Sequence, residues 1–188
     1  MSLLEHFDLL APLYDRLIRP PIDDRLAELA GLPIRGELLD AGGGTGRIAS
    51  RLIGRVGRVI VADASRPMLA EAWRKHGLAS VASHTERLPF SDGRFERVII
   101  VDAYHHVEDQ IATLRELWRV LASGGRLVLE EPDIRDLSVR LISLGEKLLL
   151  MRSHFETGEV IAARLTSLGA QTALHHDRHT AWIVADKP

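Results

Sequence analysis

The residues best placed by type and spacing to do chemistry are an aspartate and the glycines behind it. Asp40, Gly42, Gly44 and Gly46 read D-x-G-x-G-x-G, with Gly43 inside the run. The apolar stretch ending at Leu38 and Leu39 reads as a buried parallel strand. Arg47, Ile48 and Ala49 read as the start of a helix, whose buried face is expected to be Ile48, Ala49, Leu52 and Ile53. Glycines in such a turn allow backbone angles closed to other residues and let a ligand lie against bare main chain. Unpaired N–H groups at a helix N-terminus suit a nucleotide-like or carboxylate-bearing ligand. A dinucleotide fingerprint needs G-x-G-x-x-G. Counting from Gly42 puts Arg47 where the third glycine belongs, which argues against a nicotinamide-dependent oxidoreductase.

A second acid stands in register with this turn. Residues 58–63 form an apolar strand ending at Asp63, about 20 positions beyond Gly42. That is the distance expected of a carboxylate that accepts bonds from both hydroxyls of a ribose. The histidines form two groups. His105-His106 follows a strand expected over Phe95–Val101, and His175-His176-x-x-His179 falls in a turn near the C-terminus. In a hairpin, alternation sends neighbours to opposite faces, and no carboxylate or cysteine partner is evident, so the second group reads as a solvated turn and no metal site is expected.

These residues need a frame. Strands are expected at 58–63, 79–83, 95–101 and through RLVLEE, after a first strand ending at Asp40. Helices should lie between them: one capped by Ser65 with Pro67 in its first turn, and one over 108–122 burying Ile111, Leu114, Trp118 and Leu121. Five alternations of strand and helix predict a parallel sheet covered on both faces. Residues 3–30 read as helical segments broken at Pro12 and Pro20-Pro21. A leucine-rich segment over 137–151 could lie on a membrane surface, form a dimer face or roof an apolar pocket, and the pocket roof is preferred. A helix from Thr157 through Leu168 and two strands around His176-Asp177-Arg178 close the chain.

Composition sets bounds. The chain has 188 residues, 46% hydrophobic and 27% charged, with a formal net charge of −2. That gives no general pull towards nucleic acid or an anionic membrane. There is no cysteine, so disulfides, thiol nucleophiles and cysteine-held metal are excluded. No apolar run approaches the roughly 20 residues of a membrane span, and MSLLEHFDLLAPLYD resembles no secretory signal. The expected location is the cytoplasm, and the expected state is monomer or homodimer.

The glycine run resembles motif I of the class I S-adenosylmethionine-dependent methyltransferases, and further segments extend the resemblance in order over residues 37–132. VADASRPML is similar to their ribose-binding segment. SHTERLPFSDGRFERVIIVDAYHHVED is similar to the adenine-binding loop and fourth strand of the small-molecule group. RELWRVLASGGRLVLEEP resembles the helix and strand next in order in that group, and HFDLLAPLYD resembles the Ala-x-x-Tyr-Asp segment of the quinone-biosynthesis C-methyltransferases. The resemblance implies an α/β, Rossmann-like three-layer sandwich: a mostly parallel seven-stranded sheet with an antiparallel last strand and helices on both faces. It implies one domain, with an N-terminal helical cap over 1–35, a cofactor-binding core over 36–132 and a substrate-side segment over 133–188.

The implied cofactor is S-adenosylmethionine, held by Asp40, Ala41, Gly42, Gly43, Gly44, Gly46, Asp63, Ala64, Met68, Thr85, Glu86 and Asp102. Two departures stand out. His84 occupies the position where Asp or Asn often meets the adenine amino group, and Ala122-Ser123-Gly124-Gly125 replaces Lys-Pro-Gly-Gly. The implied reaction is in-line displacement at a sulfonium methyl, which requires positioning and exclusion of water. A carbon acid, phenol or thiol acceptor would also need a base. His105, His106 and Tyr14 are the candidates, with Glu130 behind them. VDAY at the end of the fourth strand lacks the Asn/Asp-Pro-Pro-Tyr signature of amino-methylating enzymes, which counts against nucleic acid. The expected partner is a small acceptor molecule, apolar or quinone- or phenol-like. The competing reading is a non-catalytic binding protein on the same fold.

Overall fold

A computed structural model of the chain describes residues 24–136, 139 and 154–188. The N-terminal cap, Tyr14 and most of the leucine-rich segment lie outside the described residues. The strands are β1 (Glu37–Ala41), β2 (Arg58–Asp63), β3 (Leu78–Ala82), β4 (Phe95–Val101), β5 (Leu121–Pro132), β6 (Gln171–Asp177) and β7 (Thr180–Asp186). The helices are α1 (Arg25–Leu29), α2 (Arg66–Trp73), α3 (Gln110–Val120) and α4 (Gly158–Ser167). The strands make one seven-stranded sheet in the order β3-β2-β1-β4-β5-β7-β6. Neighbours from β3 to β5 pair parallel, and β7 runs antiparallel to both β5 and β6. This is the Rossmann-like sandwich expected, six strands one way and β7 the other.

Alternation along β1 explains how the sheet is covered. Leu39 and Ala41 point into a core shared with Leu114 and Leu117 of α3 and Ile161 and Leu165 of α4. Leu38 points to the opposite face, against Leu26 and Leu29 of α1 and Leu69 of α2. Asp40 shares the face of Leu38, which sets the geometry of the site below.

Two expectations are corrected here. The element after the glycine turn is a single 3-10 turn over Ala49–Leu52, not a helix of several turns. Ala49 and Leu52 are buried, but Ile53 is 40% exposed. The turn stops because Ile53 adopts extended angles and bridges to Val56, and Gly54 takes φ +82. In α3 the buried stripe is Leu114, Leu117 and Val120, while Ile111 is 47% exposed. Asp109 caps this helix by accepting from Ala112 N at 2.9 Å, which places Ile111 in the first turn on the solvent side. Trp118 is half-buried on the core with Lys187 Nζ 5.2 Å over its ring.

Candidate functional site

Asp40 is the last residue but one of β1, with its side chain buried and 1% exposed. One oxygen, Oδ2, is buried with no hydrogen-bond partner. Burial pushes the carboxyl up to about 7, the nearby Arg47 charge opposes this, and the Asp63 charge adds to it. The turn behind it is tight. A Cβ at Gly43 would sit 2.6 Å from the Asp40 carboxyl carbon, and one at Gly42 3.0 Å from Ala103 Cβ. Gly42 and Gly44 have φ of +68 and +54, the left-handed region that side chains disfavour.

Asp63 ends β2 and fastens this turn. Its Oδ2 accepts from Gly44 N and its Oδ1 from Ser65 N, both at 2.8 Å. A carboxylate can accept about four bonds, which suits it to meet ribose hydroxyls as well as backbone donors. Ser65 caps α2 as its sequence suggested, accepting from Met68 N, and Met68 is buried beneath the turn.

The residues after β3 carry structural duties. Thr85 is 7% exposed and shares a hydroxyl bond of 3.0 Å with Thr113 of α3. Glu86 Oε1 accepts from Glu108 N at 2.8 Å and Asp109 N at 3.2 Å, tying this loop to the start of α3. His84 is exposed.

Past β4 the chain turns sharply. Asp102 takes φ +53 and sits 3.7 Å from Arg47. His105 is buried beneath Phe155, their rings stacked at 4.4 Å. Its Nδ1 lies 2.7 Å from Glu131 Oε2. His106 packs 3.9 Å from the His105 ring, and burial, with the His105 charge second, pushes it down to about 3. A cavity of about 290 Å³ opens beside Asp102 and Glu131, lined also by Arg47, Val101, Glu130 and Thr180 among others.

Asp40, Ala41 and the four glycines lie at or past the carboxyl end of β1, Asp63, Ala64 and Met68 at or past that of β2, Thr85 and Glu86 past β3 and Asp102 past β4, the edge where open α/β sheets bind ligands. Glu131 and Arg47 were not among the predicted site residues. The signal for Glu131 was present, since period-2 alternation puts it with Leu127 and Leu129 on the face that carries Tyr104. The C-terminal histidines have carboxylate partners that the sequence did not reveal: Asp133 lies 3.0 Å from His176 and Asp136 2.9 Å from His179. Among the described residues, no group of three or more side chains is arranged to hold a metal.

Residues 39–129 match the family model described as a methyltransferase domain. That match supports a class I S-adenosylmethionine-dependent methyltransferase domain over these residues. Curated sequence relatives of this stretch include quinone-biosynthesis enzymes. The ubiquinone/menaquinone biosynthesis C-methyltransferase UbiE of Proteus mirabilis is 37% identical over 114 residues, covering 55% of this chain and 45% of that protein. The chain therefore spans about half the length of that relative. A methyltransferase structure from Thermotoga maritima superposes with a TM-score of 0.79 at 21% identity and full coverage of both chains. The DhpI–SAH complex superposes at 0.77 with 22% identity, covering 100% of this chain and 96% of that one. These structural likenesses establish the fold. No described helix is long and apolar enough to cross a membrane.

Proposed function

We propose that this chain transfers the methyl group of S-adenosylmethionine to a small metabolite, apolar or quinone- or phenol-like. The observation that supports this most directly is Asp40, a buried carboxylate with one oxygen unpartnered behind a turn that excludes side chains. A buried acid titrating near 7 favours a cationic ligand group, which ionises it and supplies the missing bond. The ammonium of the methionine portion has that chemistry, directly or through a water. Asp63 would take the ribose hydroxyls. Ala41, Gly42, Gly43, Gly44 and Gly46 would form the bed, with Ala64 and Met68 beside it and Asp102 at the far side. Thr85 and Glu86 would support the adenine end largely by holding its loop, given their bonds to α3. When bound, the cofactor supplies an activated methyl group on a good leaving group.

The protein's own work is then positioning, dryness and a proton acceptor. Of the two histidines, His106 is too weak a base at neutral pH once burial has lowered it to about 3, so the base role falls to His105, with Tyr14 retained as a candidate. The acceptor would occupy the cavity beside Asp102 and Glu131. Its quinone- or phenol-like class rests on the UbiE relative, which covers half of this chain. Calorimetry with S-adenosylmethionine and S-adenosylhomocysteine tests the cofactor, and transfer of labelled methyl to a reduced 1,4-naphthoquinone tests the acceptor. Absence of binding would overturn the whole reading. Binding without transfer to any metabolite pool would favour the alternative, a non-catalytic binding protein, which the exposed position of His84 keeps in play. The division into a cap over 1–35, a core over 36–132 and a substrate-side segment over 133–188, a cytoplasmic location and a monomeric or homodimeric state belong to the same proposal.

A further inference from the structure

We propose that Glu131 is a positioning residue that fixes the tautomer of His105, placing the ring's lone pair on Nε2. This rests on the base role proposed above for His105. The Glu131 side chain is 5% exposed and faces two backbone donors and the His105 ring at the corner after β4. Its Oε1 accepts from Ala103 N at 3.2 Å and Tyr104 N at 2.8 Å. Its Oε2 meets His105 Nδ1 at 2.7 Å. An ionised carboxylate only accepts, so Nδ1 must carry the proton, and in the neutral ring Nε2 is then the basic atom. The residue is held from elsewhere as well, at its ring and at its backbone. Phe155 stacks on it with the planes 16° apart, and His154 N donates to the His105 carbonyl at 2.8 Å.

The same corner touches the cofactor turn, because Ala103 is the residue that a side chain at Gly42 would strike. Glu131 thereby sets two things with one carboxylate: the approach of the corner to the turn, and the direction of the base. In the reaction, the acceptor's acidic C–H or O–H proton passes to His105 Nε2. The electron pair released forms the bond to the methyl carbon, the carbon–sulfur bond breaks with its pair left on sulfur, and the imidazolium later yields its proton to water.

The decisive variant is Glu131→Gln, which keeps size and shape. Two backbone N–H groups already occupy the Oε1 position, so the amide oxygen stays there and the NH2 group faces His105 Nδ1. That reverses the bond and forces the proton to Nε2. Nitrogen NMR of the whole protein with labelled histidine reads this directly. The wild-type protein should show Nδ1–H at His105 between pH 6 and 8, and the variant Nε2–H. With a reduced 1,4-naphthoquinone as acceptor, kcat should fall about 100-fold or more, with the KM for S-adenosylmethionine within about twofold. Wild-type protein with Nε2–H or a charged ring overturns the proposal without any variant, and so does a tautomer reversal that leaves kcat unchanged. If the wild-type protein transfers no methyl group, the proposed function fails, while the tautomer measurement still decides what Glu131 does.

Discussion

Asp40 sets stability and binding against each other. Its folded value of about 7 lies above the 3.8 of an exposed aspartate, so the folded state holds this proton more tightly than the unfolded chain. The contribution is fully present below pH 4, is lost as pH rises from about 4 to about 7, and is flat above; its full size is on the order of 4 kcal/mol. Asp40→Asn should therefore be more stable than the parent at pH 8 by at least about 1 kcal/mol, with little difference at pH 4, measured by denaturant unfolding. A cationic ligand reverses the preference. Affinity for S-adenosylhomocysteine should rise between pH 6 and 7 by up to about tenfold and level off, and the Asn variant should lose both the rise and most of the affinity. Gly42→Ala meets both a left-handed backbone and Ala103, and should destabilise the fold by about 1–3 kcal/mol while abolishing binding in the same calorimetric assay. At this scale the sequence is readable wherever spacing carries the meaning, as for Asp40 and Asp63. It is not readable where meaning lies in a distance between elements: alternation places Glu131 on the face of Tyr104, but nothing in the sequence sets its carboxylate against His105 Nδ1.

Among the elements, α3 governs the loop after β3. Arg119 donates to the carbonyls of Phe90 and Leu88 at 2.8 and 3.1 Å and to Asp92 at 2.6 Å, while Glu116 of the same helix accepts from Leu88 N at 2.9 Å. Replacing Arg119 with alanine strips donors from two backbone carbonyls and should cost about 1–3 kcal/mol. Proteolysis should then cut first within residues 84–93, and cleavage elsewhere with that loop intact would contradict the arrangement. The parallel strands before β5 were legible almost to the residue because buried parallel strands are short continuous apolar runs bounded by charge or glycine; β5 instead begins at Leu121, ahead of the expected RLVLEE and inside the stretch read as helix. The segment after the glycine turn was not, since Ile48, Ala49, Leu52 and Ile53 fit a helical period that Gly54 cuts short. Ile111 misled in the same way, at a helical spacing but in a first turn that projects past the sheet.

For the whole molecule, the sheet separates two cores, and the site lies along the edge where both end. Leu129 is fully buried in the core on the α3 side, and Leu129→Ala should cost about 2–5 kcal/mol with binding intact at temperatures where the variant stays folded. S-adenosylhomocysteine at 100 times its Kd should add about 2.7 kcal/mol to unfolding, and NADH should add nothing; a melting scan that gave the opposite order would return the glycine turn to dinucleotides. The placement of β7 bears on how the molecule is made. It sits between β5 and β6 yet follows both in the chain, so synthesis delivers β6 before there is any strand for it to join. A nascent chain that has emerged only as far as residue 178 can pair β1 to β5, but leaves β6 and one edge of β5 unsatisfied. Closure then waits for residues 180–186 to pair with β5 on one side and with the β6 segment on the other, which makes that open seam the point at which a chaperone or a neighbouring chain would compete.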